Sequence, residues 1–363
     1  YKEAYPEAPE LSDAAKSKLK SKRAERQSEM PLESESFEKV EDVTLSEDKG
    51  YLHELFGLKK NRQARRASDG AGIPVQLIQQ EGNEDLIPQK DENYVYPVDT
   101  LKTLIMAFEV NIPSYIYGHA GVGKSTIYEQ ICSATKRRLM RVQHTISTEQ
   151  SDIIGDWVVD KHVDDNGEVT SVTKYRLGPL PEAMINGWTY LADEYDRAHP
   201  SVSSVYQAIL EGKPLIIANA DEQNRVIRPH PDFRFCATGN TNGSGDETGL
   251  YQATIVQDAA TFERFGVVCK MEYMSNNEEK AIVMGNSEIL PADADKLIDY
   301  CNRMREHFPN EVSLTLGPRV AIYIAQLGMM KGDLKKGVEL AYANRLPESE
   351  RETALQVAQR IFG

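Results

Sequence analysis

The sequence predicts an α/β fold, a parallel sheet with inserted β-hairpins, followed by an all-helical domain. Two observations predict the sheet: short apolar runs alternate with helical stretches between residues 94 and 273, and a glycine-rich loop joins the first run to a helix. A third observation predicts the helical domain, because only helical periodicity remains from about residue 274 onward. We therefore divide the chain into residues 1–50, 51–93, 94–273 and 274–363.

The composition is that of a globular protein with more than one domain. Its 363 residues are 40% hydrophobic and 27% charged. The formal net charge of −14 disfavours a general nucleic-acid binder, because such binding depends on clustered Lys and Arg. No run of about 18 apolar residues occurs, so we predict no membrane-spanning helix and no membrane partner. The four cysteines are widely spaced, which disfavours a zinc site or a disulfide framework and favours a cytoplasmic location.

The first 93 residues precede the predicted sheet. Residues 1–50 are rich in Glu, Lys and Ser with isolated apolar positions, which predicts a charged and flexible N-terminal tail. A basic cluster at 16–26 offers a contact for nucleic acid or an acidic partner, but its composition favours a solvated tail. For residues 51–93 we predict a helix followed by an extended arm.

The remaining elements follow from periodicity and helix signals. Asp99 is predicted to cap a helix that ends at Phe108. The predicted strands are 113–117, 139–142, 188–192, 233–237 and 266–271, with a helix over 124–134. The predicted helices of the last domain are 278–285, 292–307, 318–331 and 347–362.

Two insertions interrupt the alternation and are predicted as β-hairpins. In residues 156–177, apolar residues alternate on both sides of Asn166-Gly167, a dipeptide that is a strong hairpin signal. The second hairpin is predicted over 213–228. The acidic run near Gly167 resembles a calcium loop, but that register puts His162 at the first ligand position, so we reject calcium.

The sharpest motif is a glycine-rich loop at residues 118–125. It reads Gly-His-Ala-Gly-Val-Gly-Lys-Ser, matches G-x-x-x-x-G-K-[ST], and lies between a predicted strand and a predicted helix, a context that disfavours a chance match. The N–H groups of such a loop surround phosphate oxygens, Lys124 reaches the outer phosphates, and the Ser125 hydroxyl suits Mg²⁺. The predicted residues for binding ATP and Mg²⁺ are Gly118, His119, Ala120, Gly121, Val122, Gly123, Lys124, Ser125, Thr126 and Asp193. The His119 side chain is expected to point to solvent.

Polar residues follow two later strands of the predicted sheet. Asp193 and Glu194 end the apolar run 188–192. Asp193 is predicted to hold Mg²⁺ with Ser125, and Glu194 to polarise the attacking water, a contribution of ~10²–10⁴-fold. Asn240, at the end of the next strand, is predicted to orient that water. An ordinary acidic loop is the alternative, which the position at the carboxyl end of a strand disfavours.

Two arginines complete the predicted catalytic set. Arg264 precedes the last strand, and Arg319 opens a helix of the C-terminal domain. Arginine suits the charge that develops on a γ-phosphate because its guanidinium is planar and always charged. Each would more often be a surface ion pair, but their placement favours a role in phosphoryl transfer.

Together these motifs resemble the AAA+ ATPases, in the branch that contains the MoxR proteins and the ATPase subunits of metal chelatases. Within that branch the chain is most similar to CobS-type subunits of aerobic cobaltochelatase, and the resemblance covers about residues 94–363. The stretches that carry the CobS-type resemblance are 193–196, 224–231, 249–251 and 360–363, and those that resemble the wider MoxR group are 178–180 and 197–198. The tail of residues 1–50 is additional to the family pattern.

The resemblance implies a fold, a cofactor and an assembly. It implies a three-layer αβα ATPase domain with a helical lid, arranged with ATP and Mg²⁺ between the subunits of a homo-oligomeric ring, usually a hexamer. It implies that Arg264 reaches the neighbouring subunit's nucleotide, that the residues acting in cis are Lys124, Ser125, Asp193, Glu194 and Asn240, and that Arg319 is a lid sensor whose cis or trans placement is open. The hairpins would face the pore or an axial surface.

The leading functional hypothesis is therefore an ATPase that remodels a partner complex and drives cobalt insertion into a corrin-type macrocycle alongside two further subunits. The second is a MoxR-like chaperone, of a kind that phages also encode, which acts on a protein with a metal-ion-dependent adhesion domain. A nucleic-acid motor is disfavoured by the acidic balance and the lack of a basic stripe interleaved with aromatics. A nucleotide-locked scaffold is disfavoured by Glu194 and Arg264.

Overall fold

A computed structural model describes residues 45–59, 61–80, 82–163, 169–246 and 249–363 of the chain. Most of the predicted tail 1–50, with its basic cluster at 16–26, lies outside the described residues. The predicted turn Asn166-Gly167 and the side chain of His162 lie outside them as well.

A strand lies at each predicted sheet position, and the described residues contain further strands besides these. The strands are β1 Lys49–Tyr51, β2 Pro74–Gln76, β3 Ser114–Gly118, β4 Leu139–Gln143, β5 Gly155–Val163, β6 Val169–Leu177, β7 Thr189–Asp193, β8 Leu215–Ile216, β9 Val226–Ile227, β10 Arg234–Gly239 and β11 Val267–Met271. Five of them form one sheet in the order β11-β3-β10-β7-β4, and every neighbouring pair in it is parallel. The prediction of a parallel sheet is confirmed. Because parallel strands end at the same edge, the residues after β3, β7 and β10 come together there.

Helices cover the sheet and then form a separate helical region. The α-helices are α1 Leu52–Leu55, α2 Val98–Glu109, α3 Lys124–Thr135, α4 Gln150–Ile154, α5 Pro179–Asn186, α6 Pro200–Ser203, α7 Gln207–Leu210, α8 Ala259–Phe262, α9 Asn276–Gly285, α10 Pro291–His307, α11 Pro318–Lys331, α12 Leu334–Ala341 and α13 Glu348–Phe362. None of the helices in the described part of the chain is long and apolar enough to cross a membrane.

Alternate strand residues supply the two apolar faces of the sheet. Tyr190 and Ala192 of β7 pack in one buried cluster with α5, α6 and α7, whereas Leu191 packs in a second cluster with α2 and α3. Successive side chains of a strand point to opposite faces, so a strand buried on both faces is continuously apolar. The result is a three-layer arrangement of helices, sheet and helices. A third buried cluster belongs to α9 through α13.

The segment predicted as a helix and arm packs against this core. The segment contains the short helix α1 and the 3₁₀ turns Arg62–Ala64 and Glu84–Leu86. Leu52 and Phe56 belong to the same buried cluster as α2 and α3. Strands β1 and β2 pair with each other in antiparallel register. The arm then continues along the protein, where the Asp91 N–H donates to Gln130 Oε1 of α3 at 2.9 Å. This places residues 91–95 next to the glycine-rich loop.

Both predicted hairpins are confirmed within the described residues. In β5–β6, Trp157 lies opposite Tyr175. The second hairpin has strands of only two residues, β8 and β9. The Trp157 indole N–H donates to the carbonyl of Asn219 at 2.8 Å, so the two hairpins contact each other.

One sequence prediction about a helix is wrong, and one helix was not predicted. The helix α2 begins at Val98 with Pro97 as its N-cap, so Asp99 lies inside the first turn instead of capping it. There its carboxylate still faces the positive end of the helix dipole. The helix α12 has no counterpart among the predicted helices, because Gly337 lowers the helix propensity of this short segment. It forms because Gly337, which has no side chain, allows close contact with the Ile324 carbonyl of α11.

Candidate nucleotide-binding site

The glycine-rich loop of residues 118–123 connects β3 to the first turn of α3. Gly123, the N-cap of α3, has a φ of 93°, a left-handed conformation that favours glycine. Gly118 has a φ of 151°, and a side chain there would collide with the Met271 carbonyl of β11. The loop therefore needs glycine at both positions, and it ends at the amino terminus of a 12-residue helix. Such a terminus favours anions through its free N–H groups and its dipole.

The Lys124 ammonium lies over this loop. Its Nζ donates to the carbonyls of Gly118 at 2.8 Å and His119 at 2.9 Å, and to Oδ1 of Asn240 at 3.1 Å. Burial lowers the pKa of Lys124 to about 8, although nearby carboxylates oppose the shift. The structure thus brings together Lys124 of the glycine-rich loop, hereafter the P-loop, and Asn240 at the end of β10.

Asp193 accepts hydrogen bonds from three side chains at the end of β7. Its Oδ1 accepts from the Ser125 hydroxyl at 2.6 Å and from the Thr238 hydroxyl, and its Oδ2 accepts from Arg141 Nη2 at 2.5 Å. Burial opposes the charge, but these hydrogen bonds and the Arg141 charge hold the pKa of Asp193 below its usual value. A charged carboxylate beside a hydroxyl is a suitable pair of ligands for Mg²⁺.

The magnesium ligands available from the chain are few. Among residues 45–59, 61–80, 82–163, 169–246 and 249–363, no group of three or more His, Cys, Asp or Glu side chains forms a metal cluster. A magnesium ion held by Ser125 and Asp193 would therefore take its other ligands from phosphate oxygens and water, as Mg²⁺ commonly does.

Glu194 has a strained backbone and a carboxylate held by two partners. Its φ of 53° lies in the left-handed region, which costs a non-glycine residue of order 1–3 kcal/mol. The carboxylate forms an ion pair with Arg197 at 2.9 Å and accepts from Gln143 Nε2 at 3.0 Å. The Glu194 backbone N–H donates to the Thr238 hydroxyl at 3.2 Å. The strained turn places this carboxylate beside Asp193.

One cavity of about 230 Å³ connects most of these groups. Its lining residues include Ala120, Gly121, Gly123, Lys124, Ser125, Thr126, Arg141, Gln143, Asp193, Glu194, Thr238, Asn240 and Arg319. It contains both carboxylates and three cationic side chains. A cavity with this charge distribution fits a phosphate chain together with a divalent cation.

The structure places Arg319 beside the P-loop of its own chain. It lies in the first turn of α11, and a side chain built on Gly121 would lie 3.3 Å from the Arg319 Cβ. The sequence left its cis or trans placement open, and the described chain brings it to the cis cavity. The Arg319 charge also helps to lower the pKa of Lys124.

Arg264 lies elsewhere. It follows α8, and its Nε forms an ion pair with Glu211 Oε1 at 2.6 Å. It does not line the cavity that contains Lys124 within the described chain. Arg264 is therefore the one predicted catalytic residue that the single chain does not bring to the site.

The expectation that His119 points to solvent is wrong. Its side chain is half-buried, stacks on Tyr273 and lies within hydrogen-bonding distance of the Tyr251 hydroxyl. Burial lowers the pKa of His119, and the Lys124 charge adds to that shift. The side chain faces inward because aromatic residues from two later segments fold over the P-loop.

A second cavity, of about 170 Å³, adjoins the P-loop on the side of the helical region. It is lined by the arm, the loop and the helices α9 and α11, with Asn93, Tyr94, Gly121, Val122, Gly123, Thr126, Ile282, Asn286, Pro318, Arg319 and Ile322 among its residues. Its apolar and amide side chains suit a purine ring, and Asp91, Glu272 and Arg319 add charged groups to its lining. Sequence reasoning missed this cavity, because its walls come from segments with no shared motif.

Sequence reasoning also missed the residues that orient the carboxylates. Arg141 and Gln143 alternate on β4, whose register puts Gln143 opposite Asp193. A polar residue at every second position near the end of an otherwise apolar strand was the available signal. Asp196 was noted only within a motif, yet its Oδ2 accepts from the Asn240 N–H at 2.7 Å and so positions that residue.

Comparison with known proteins places this geometry in context. Residues 113–256 match the family model described as AAA domain (dynein-related subfamily). The chain is 31% identical over 329 residues to the aerobic cobaltochelatase subunit CobS of Sinorhizobium sp, which covers 89% of this chain and 91% of that protein. It is 23% identical over 239 residues to protein CbbQ of Hydrogenophilus thermoluteolus, covering 66% and 82% respectively. Among solved structures, the RuvB Holliday junction branch migration motor of Thermotoga maritima matches 70% of this chain and 72% of that one at 15% identity, with a TM-score of 0.43.

Proposed function

The chain belongs to the AAA+ ATPases of the MoxR and metal-chelatase branch, the group that contains CobS, and on this premise we propose a specific task for it. We propose that ATP hydrolysis by this chain drives cobalt insertion into a corrin-type macrocycle within a cobaltochelatase-like complex. The 31% identity to CobS supports this task, because it extends over 89% of the chain and well beyond the ATPase motifs.

The observation that carries the catalytic proposal is the cavity shared by Lys124, Ser125, Asp193, Glu194 and Arg319. Lys124 leaves its contacts with the loop carbonyls and binds the outer phosphates, and Arg319 binds the same phosphate chain in cis. Ser125 and Asp193 hold Mg²⁺, which neutralises phosphate charge when bound. These residues fix the terminal phosphate in the cavity.

Glu194 acts on the attacking water. The water oxygen forms a bond to the terminal phosphorus, the bond to the leaving ADP oxygen breaks, and the water proton passes to the Glu194 carboxylate. Asn240 orients this water, and its position is held by Asp196. Gln143 and Arg197 restrain Glu194 before reaction, so nucleotide binding has to redirect the carboxylate toward the water.

We propose that the site is completed by a second copy in a ring, a hexamer in the simplest case. Arg264 is paired with Glu211 in its own chain, and both side chains are about one third exposed, so the pair is weak enough to open. In the ring, Arg264 turns to the terminal phosphate bound by the neighbouring subunit. An arginine supplied in trans contributes ~10³–10⁵-fold to phosphoryl transfer.

The partner is proposed to be a protein with a metal-ion-dependent adhesion domain, which transmits the ring's motion to the chelating subunit. The test is capture of that partner by tagged Glu194→Gln protein loaded with ATP, with the matched Lys124→Ala protein as the nucleotide-free control. Recovery of two further chelatase subunits only with Glu194→Gln, together with ATP-dependent cobalt insertion by the purified mixture, is the expected result. Recovery of a protein unrelated to tetrapyrrole chemistry would contradict the chelatase task while leaving the ATPase intact.

A second candidate is a MoxR-like chaperone that remodels a protein outside tetrapyrrole chemistry. The similarity to CbbQ over 66% of this chain favours it, because that protein is not named as a chelatase subunit. The same capture experiment separates the two candidates through the identity of the recovered partner.

A further inference from the structure

Tyr251 joins the P-loop to the segment that follows β10. Its hydroxyl oxygen accepts a hydrogen bond from the Ala120 N–H at 3.0 Å and lies 3.1 Å from His119 Nδ1. The Tyr251 N–H donates to Asp246 Oδ2 at 2.7 Å, which fixes the tyrosine within its own segment. That segment continues to α8 and Arg264. The Tyr251 hydroxyl therefore links His119 and Ala120 of the P-loop to the segment that leads to Arg264.

A cavity lies beside Tyr251, between the P-loop and the segment after β10. About 550 Å³ of space lies beside Tyr251, bounded by Asn240, Asn242 and Tyr273 among others. The segment after β10 is consequently not packed densely against the P-loop on this side. The hydrogen bond from Ala120 is a specific contact between the two on this side.

His119 extends the contact toward the helical region. Its ring stacks on Tyr273 with centroids 5.5 Å apart and planes inclined by 6°. Tyr273 lies in the short connection between the end of β11 at Met271 and the start of α9 at Asn276. A rotation of the helical region about this connection would move Tyr273 against His119. The imidazole therefore lies between Tyr251 and the connection from β11 to α9.

Arg305 continues the chain of contacts into the helical region. Its guanidinium carbon lies 3.9 Å from the centroid of the Tyr273 ring, a cation–π contact. The same guanidinium binds the buried Glu279 through two hydrogen bonds of 2.9 and 3.0 Å, a bidentate pair that fixes its orientation. Its Nε donates to the Leu316 carbonyl at 2.8 Å.

The contacts then return to the P-loop. Gly317 follows Leu316, and a side chain on it would lie 2.7 Å from the Ala120 carbonyl. Two residues later is Arg319, which lines the phosphate cavity. Ala120 thus contacts Tyr251 through its N–H and lies beside Gly317 through its carbonyl.

We propose that Tyr251 is a positioning residue. It forms one continuous link with His119, Tyr273 and Arg305. This link sets the P-loop, the segment leading to Arg264 and the helix bearing Arg319 in a common geometry. This inference rests on the proposed catalytic roles of Arg264 and Arg319. The four link residues do not line the second cavity, whose walls include Asn93 and Ile322. Breaking the link therefore slows turnover more than it weakens nucleotide binding.

The test begins with Tyr251→Phe, which removes a single oxygen atom. Loss of turnover in Lys124→Ala first establishes the ATPase site independently. We expect Tyr251→Phe to lower kcat about threefold to tenfold, the effect of losing a hydrogen bond of ordinary strength. We expect its Kd for ADP to stay within about twofold of wild type, the pattern of a residue needed only for turnover. Tyr300→Phe, which removes a hydroxyl bonded at 3.3 Å to the Ala354 carbonyl in the helical region, is the matched control and should retain wild-type kcat.

A double-mutant cycle distinguishes a link from independent packing. Tyr273→Leu removes the ring on which His119 stacks. If the residues form one link, Tyr251→Phe with Tyr273→Leu loses no more kcat than the more damaging single variant. Losses that multiply, a wild-type kcat in Tyr251→Phe, or a loss explained entirely by a smaller folded fraction would each overturn the proposal.

Discussion

Replacing Glu194 by glutamine removes the proposed general base while preserving the shape of the side chain. The carboxylate is 26% exposed and pairs with Arg197, which is 32% exposed, so the lost ion pair costs at most about 1 kcal/mol of folding free energy. The remaining amide oxygen still accepts a hydrogen bond from Gln143. The protein should therefore fold and bind ATP. Turnover should fall by at least about tenfold and by as much as 10²–10⁴-fold, the range for a general base.

The assay is phosphate release at saturating ATP, combined with an equilibrium titration of ATP. Glu339→Gln is a matched control, because Glu339 is 28% exposed, pairs with Arg351 and lies in the helical region far along the chain from the carboxylates of β7. It should leave turnover unchanged. Turnover of Glu194→Gln equal to wild type would refute the assignment of the base, and loss of ATP binding would refute the argument that the charge acts only in hydrolysis.

Three further outcomes are expected. In the folded protein the pKa of Lys124 is lowered to about 8, so Lys124 loses its positive charge as the pH rises through that value. ATP affinity should therefore weaken above pH 8 in a titration series, and Lys124→Arg should flatten that profile. Thr238→Val removes the donor to Asp193 and leaves the Glu194 N–H without its acceptor. This should lower the free energy of unfolding by about 1–3 kcal/mol in urea denaturation. An unchanged midpoint would contradict this role of the Thr238 hydroxyl. Gly337→Ala forces a methyl group against α11 and should destabilise the protein by about 1–3 kcal/mol. Lys336→Ala, at an exposed position of the same helix, should cost far less. Equal melting curves for the two variants would contradict the close packing of Gly337.

Local patterns were sufficient for the parts of the site that are continuous in the chain. The P-loop was predictable because its glycines, Lys124 and Ser125 occupy fixed spacings between a strand and a helix. The pair Asp193 and Glu194 was predictable because two carboxylates end a continuously apolar strand. Both inferences depend on backbone geometry that a few neighbouring residues determine.

The remaining site residues depend on register and on distant packing. Arg141 reaches Asp193 only because β4 lies beside β7 in a particular register, which periodicity along one strand does not reveal. His119 turns inward because Tyr251 and Tyr273, more than 130 positions later, fold over it. The helix α12 forms through contact with α11 at a glycine that lowers its own helical propensity. In each case tertiary contacts override or supplement the local pattern.

Subunit mixing tests whether a complete ATPase site needs Arg264 from a second copy. Arg264→Ala and Lys124→Ala should each be inactive alone, since one lacks the arginine and the other the P-loop lysine. In a 1:1 mixed ring, about a quarter of the interfaces combine an intact Lys124 with an intact Arg264 from the neighbour. We expect phosphate release to reappear on mixing, to about that fraction of the wild-type rate. A mixture that stays inactive although mixed assemblies form, or an Arg264→Ala protein that hydrolyses ATP at the wild-type rate, would contradict it.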